Sequence, residues 1–205
     1  MSRTRYPIPA APCRCEIEVN RSRFIASIEM VETPDQAQDF VARLKQEFPT
    51  ANHNCWAYLC GPPGSSDRIG LSDDGEPHGV AGKPLLTALQ HSGLGDLAVV
   101  VTRFFGGIKL GKGGMVKAYT QAVQSALEQL EVAEKIAWEE LRFSCAYPLL
   151  SSIERLLPDY EATILEQQFA AQVVLHIRVA QEQLTALRTR LTDLSAGQIN
   201  FPENP

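Results

Sequence analysis

Residues 96–119 read DLAVVVTRFFGGIKLGKGGMVKAY. The run Leu97–Val101 is unbroken and apolar, the pattern of a strand buried on both faces. Arg103-Phe104-Phe105 then leads into a loop holding five of the chain's 14 glycines: Gly106, Gly107, Gly111, Gly113 and Gly114. Beyond the loop, Val116, Tyr119, Val123, Leu127 and Leu130 recur at spacings of 3, 4, 4 and 3, which predicts one apolar face of a helix. Arg103, Lys109, Lys112 and Lys117 stand in or beside the loop, with no carboxylate between Asp96 and Glu128. Glycines admit close approach of another molecule to the backbone. A helix start behind them offers unpaired N–H groups and the positive end of the helix dipole. Strand, basic glycine loop and helix together predict an anion site, with phosphate as the expected ligand.

Working outward, 205 residues suffice for one large domain or two small ones. Hydrophobic residues at 44% and charged residues at 21% fit a globular protein. There is no apolar run of membrane-spanning length, and the opening MSRTRYPIPAAPCRC lacks a signal-peptide core. Five cysteines without framework spacing point to reduced thiols and a cytoplasmic location. The net charge of −5 excludes nucleic-acid binding by the surface at large, so any such contact needs a concentrated basic patch.

The N-terminal part reads as strands over residues 13–19 and 22–30, then a helix opened by Thr33-Pro34 and closed by Pro49. A strand over residues 53–60 and a short helix over residues 84–90 precede the stretch quoted above. From residue 137 the pattern becomes strand, helix, strand, strand, helix, strand, the last over residues 198–201. That βαββαβ order is the ferredoxin-like arrangement. The expected fold class is therefore α+β in two domains, residues 1–136 and 137–205.

Residues 106–113, GGIKLGKG, nearly satisfy the nucleotide-binding pattern G-x-x-x-x-G-K-[ST], but Gly113 takes the place of the magnesium-binding hydroxyl. A glycine turn that serves helix packing, with solvated lysines, is the plain alternative. A second feature is SDDGE, namely Ser72, Asp73, Asp74 and Glu76 around Gly75. Three readings are open for it: a turn with local caps, an ion pair to Arg103, or a divalent-metal or acid–base site. Its spacing matches no metal-loop pattern, so no metal or cofactor is expected. His53, Cys55, Cys60 and the pair Cys13 and Cys15 lack zinc-ligand spacing and read as core or rim. Phe104, Phe105 and Tyr119 could stack on bases, although adjacent strand residues point opposite ways.

Two long motifs carry a resemblance. Ser72-Asp73-Asp74-Gly75-Glu76-Pro77 with Gly79, Ala81, Gly82 and Pro84 is the first. Arg103-Phe104-Phe105-Gly106-Gly107 with Leu110, Gly111, Gly113, Gly114, Ala118 and Tyr119 is the second. Together with Ser22-Arg23-Phe24 and residues 53–58, HNCWAY, they resemble the YigZ/IMPACT family, in particular its bacterial YigZ-type members. The resemblance implies an N-terminal domain like the second domain of ribosomal protein S-five, followed by a ferredoxin-like domain. It implies a role around RNA, ribosomes and translational control, with a protein partner as a further expectation, and it brings no catalytic residues. The expectation is a non-enzymatic cytosolic RNA- or ribosome-binding protein that touches phosphate at Arg103, Gly106, Gly107, Lys109, Gly111–Gly114 and Lys117. A metal-dependent hydrolase or transferase using the acidic loop, or a protein–protein adaptor, stand as the alternatives.

Overall fold

The apolar run after Asp96 becomes the middle strand of a five-stranded antiparallel sheet. The computed structural model describes residues 4–199 and 201. Its elements in the first part are β1 (Arg5–Pro9), β2 (Cys13–Val19), β3 (Ser22–Met30), α1 (Pro34–Glu47), β4 (His53–Leu59), β5 (Ile69–Ser72), α2 (Gly82–His91), β6 (Leu97–Phe104), α3 (Gly111–Glu128) and β7 (Val132–Ile136). The large sheet runs β2-β3-β6-β4-β5, and β1 pairs with β7 apart from it. Leu97, Val99 and Val101 face a core shared with α2 and α3, while Ala98 and Val100 face the core under α1. Covering both faces is what calls for an uninterrupted apolar strand rather than an alternating one.

Helix α1 opens as its sequence predicts: the Thr33 hydroxyl accepts from the Gln36 amide at 3.2 Å, and Pro34 sits at the first helical position. Helix α3 is rotated from the expected face. Met115, Ala118, Tyr119, Ala122, Val123 and Ala126 are buried, whereas Val116 is 37% exposed. The small alanines let the helix lie close to the sheet, and Met115 takes the place expected for Val116. Strands β1, β5 and β7 are additional to those the sequence predicts. The prolines of β1 and the brevity of β5 hide them.

Asp96 fastens β1 and β7 to the start of β6. Its carboxylate accepts from the Tyr6 hydroxyl at 2.7 Å and from the Gly61 amide, and pairs with Lys135. Burial alone would raise the Asp96 pKa, but these donors outweigh it and hold it below the usual carboxylate value.

Contacts divide the chain into two units, Met1–Lys135 and Ile136–Pro205. The second comprises β8 (Trp138–Cys145), α4 (Leu150–Leu156), β9 (Thr163–Phe169), β10 (Val173–Ala180) and α5 (Leu184–Leu194), with sheet order β8-β10-β9. This is a two-domain α+β fold, and the three strands keep the ferredoxin-like order. The strand expected over residues 198–201 differs in detail. Asn200 lies outside the described residues, and Gln198, Ile199 and Phe201 are not in a strand. Ile199 is nonetheless buried, and the Phe201 ring lies 5.9 Å from that of Phe143, so these residues still seal the core.

Candidate functional site at the paired helix starts

Strands β5 and β6 end, and β4 begins, at one edge of the large sheet, as the pairings Trp56↔Ser72 and His53↔Arg103 show. Helices α2 and α3 follow β5 and β6, so both start at this edge. Their N-termini are treated differently. Asp73 Oδ1 accepts from the amides of Ala81 at 3.0 Å and Gly82 at 2.8 Å, and Oδ2 accepts from Gly79 at 2.8 Å. A carboxylate from nine residues upstream thus caps α2, which starts at Gly82 rather than at the expected residue 84. Gly82 is required there, because a Cβ would lie 2.9 Å from Leu71 Cδ1 and 3.0 Å from the Ser72 carbonyl carbon. Burial raises the Asp73 pKa, but the three amides more than offset it and leave it below its ordinary value.

The other two carboxylates are also held by protein donors. Asp74 accepts from the Asn54 amide at 2.7 Å and pairs with Lys45 at 2.6 Å; its own amide bonds to Ser72 Oγ at 3.1 Å. Glu76 is buried, and its Oε1 accepts from Arg103 Nη1 at 2.5 Å and from the Tyr119 hydroxyl at 2.8 Å. Around this pair, His53 Nδ1 donates to the Asp74 carbonyl at 2.9 Å, which leaves Nε2 3.9 Å from Glu76 Oε2. The Cys55 Sγ lies 3.0 Å from the Asp73 carbonyl oxygen and 3.3 Å from Tyr119 Oη, either of which can accept its single proton. Burial pushes the Cys55 thiol up to about 12. Burial, with anionic neighbours adding to it, raises the Tyr119 phenol too. Neither group ionises near neutral pH, so this network serves to lock the acidic loop onto β6 and α3.

Arg103 therefore does not stand with the lysines, and its expected place in a solvent-facing phosphate site is corrected. Its side chain is 7% exposed, it lies between the Phe24 and Phe105 rings at 5.5 and 5.6 Å, and its Nε has no hydrogen-bond partner among the described residues. An arginine at the end of a buried strand has to find a carboxylate inside, and Glu76 is the one within reach. Tyr119 is fully buried and unavailable for stacking on bases, and Phe104 packs edge-on against Phe48. Phe105 alone of the three aromatics is exposed.

The glycine loop has two different parts. Gly106 is a packing glycine: a Cβ there would fall 1.9 Å from the Arg21 carbonyl oxygen, and its amide bonds to Ser22 Oγ. Gly107 and Gly111 have φ of +87° and +69°, and no atom would lie within 4 Å of a Cβ at either, nor at Gly113. Gly114 lies beside Leu110. Helix α3 begins at Gly111 with no side-chain cap and no acidic residue in its first turn. Lys109, Lys112 and Lys117 are exposed and make no ion pair among the described residues. Lys83, Thr87, Thr120 and Gln124, which belong to neither motif, line a groove of about 840 Å³ between α2 and α3. The four-residue recurrence of Lys83, Thr87 and His91 was the available signal.

Comparison with known proteins agrees with this two-part chain. Residues 20–127 match the Impact N-terminal domain and residues 143–198 a domain of unknown function, DUF1949. An IMPACT family member of Haemophilus influenzae is 40% identical over 95% of this chain and 94% of its own length. The IMPACT family member YigZ of Escherichia coli is 39% identical, over 95% of both chains. The crystal structure of a hypothetical protein, 37% identical, superposes with a TM-score of 0.69 over 100% of this chain and 98% of that one. With both domains matched and relatives near 40% identity along almost its whole length, the chain belongs to the IMPACT family.

Proposed function

We propose that the protein is a non-enzymatic RNA- or ribosome-binding protein of the cytoplasm with a translation-related regulatory role, which grips phosphate at the start of α3. The observation that carries this reading is the contrast between two neighbouring helix starts. The α2 start is occupied by the Asp73 carboxylate, whereas the α3 start has no side-chain cap and carries exposed lysines with no ion-pair partner among the described residues. Amides at Gly111, Lys112 and Gly113 present the partial positive charge that Asp73 neutralises on α2, and Lys109, Lys112 and Lys117 add full charges. Because Asp73, Asp74 and Glu76 are all engaged by protein donors, the acidic loop is built as a brace rather than as a metal or acid–base site. Arg103 contributes by holding that brace against α3, not by touching phosphate.

The test is the affinity for a short single-stranded RNA across a salt series. The logarithm of the association constant should fall linearly with the logarithm of salt, and Lys109→Ala with Lys112→Ala should reduce the slope by about 1–2. A salt-independent affinity, or an unchanged slope in the double variant, would remove the α3 start from the interaction.

A further inference from the structure

We infer that the groove between α2 and α3 receives the bases of single-stranded nucleic acid whose phosphate is held at the α3 start; the inference rests on the phosphate-binding reading above. Lys83, Thr87 and His91 recur every four residues on α2, and Val116, Thr120 and Gln124 do so on α3, so two facing ridges form the walls. The floor is apolar and open, and Val116 and Val132 remain 37% and 53% exposed. Val116 is the side chain that the rotation of α3 turned away from the core, and Val132 is the first residue of β7.

Charge runs along the groove in one direction. At the end where both helices begin stands Lys83, and Lys112, four residues before Val116, falls on the same face of α3 one turn nearer its start. At the far end stands Glu128. An occupant with its anionic part at the helix starts and a neutral part beyond fits this polarity. The walls then decide which neutral part. An alkyl chain would leave the two threonine hydroxyls, the Gln124 amide and the His91 imidazole facing hydrocarbon. A nucleoside offers apolar ring faces to the valines and polar edges to those groups. Along α3 the groove runs from Val116 to Glu128, about 18 Å of helix. A volume of about 840 Å³ over that length suits a few nucleotides rather than one.

The experiment measures binding of hexauridylate, of an abasic hexamer with the same phosphates, and of dodecyl phosphate. Wild type is compared with Thr120→Trp and Gln124→Trp, which fill the groove from a half-buried and an exposed position. Thermal unfolding confirms that each variant is folded, and Gln124→Trp stands in if Thr120→Trp is not. Wild type should bind hexauridylate at least about tenfold more tightly than the abasic hexamer. The filled variants should lose that ratio while binding the abasic hexamer as wild type does. Equal affinity of wild type for the two hexamers, or a ratio unchanged in the filled variants, would overturn the groove assignment and leave the phosphate site standing. Tight binding of dodecyl phosphate without hexauridylate would overturn it in favour of a lipid-like occupant. If neither hexamer binds at low salt, the phosphate reading itself falls, and the groove assignment with it.

Discussion

Glu76 and Arg103 lie 27 residues apart in the chain, yet their side chains meet at 2.5 Å in the interior, with Tyr119 donating to the same carboxylate oxygen. The pair joins the loop before α2 to the end of β6 and, through Tyr119, to the third turn of α3. It is the hinge-pin of the candidate site, because the α3 start is held in place through it.

Removing one partner strands a buried charge. Arg103→Ala or Glu76→Ala should lower the unfolding free energy by about 3–5 kcal/mol, whereas Glu76→Leu with Arg103→Met should lose much less than the sum of the single changes. Urea titration of the four proteins reads this directly. Additive losses in the double variant would mean that the two groups do not act as a pair.

Acid sensitivity should reside in Asp73 and Asp96. Both have folded-state pKa values below their ordinary ones, Asp73 through three amides and Asp96 through Lys135, Tyr6 and Gly61. Their contribution is present above the unfolded pKa of about 4 and is lost as pH falls through the folded value. Asp73→Ala should cost about 1–2 kcal/mol at pH 7 and flatten the acid limb of the stability profile. A variant whose stability falls with acid as steeply as wild type would show that Asp73 is not the titrating cap.

Two glycines of one loop should respond in opposite ways. Gly106→Ala forces a methyl group into the Arg21 carbonyl and should destabilise by about 3 kcal/mol or prevent folding. Gly113→Ala meets open space in the first turn of a helix and should stabilise by about 0.5–1 kcal/mol. Thermal midpoints of the two variants check both signs.

The thiols should divide by burial. Cys55, Cys60 and Cys145 are buried, and burial raises each of their pKa values, Cys55 to about 12. Cys13 and Cys15 are partly exposed on β2. A thiol reagent at pH 8 should modify the β2 cysteines in the native protein and the other three only after unfolding. Rapid native-state modification of Cys55 would show that the Tyr119–Glu76 network opens readily.

Local patterns told most about the elements that obey a single period. The run Leu97–Val101 announces a strand covered on both faces, and Thr33-Pro34 marks the start of α1. The motifs around Asp73 and Gly106 likewise pointed to the family that the domain matches show. What lay beyond reach were choices made between distant parts of the chain. Arg103 looks the same in sequence whether it faces phosphate or Glu76, and only the packing of β6 against the loop and α3 puts it inside. The turn of α3 that buries Met115 and exposes Val116 depends on how closely its alanines approach the sheet, and the groove beside α2 exists only because of that turn. Periodicity is a property of neighbours along the chain. Burial, pairing and concavity are properties of surfaces brought together by folding.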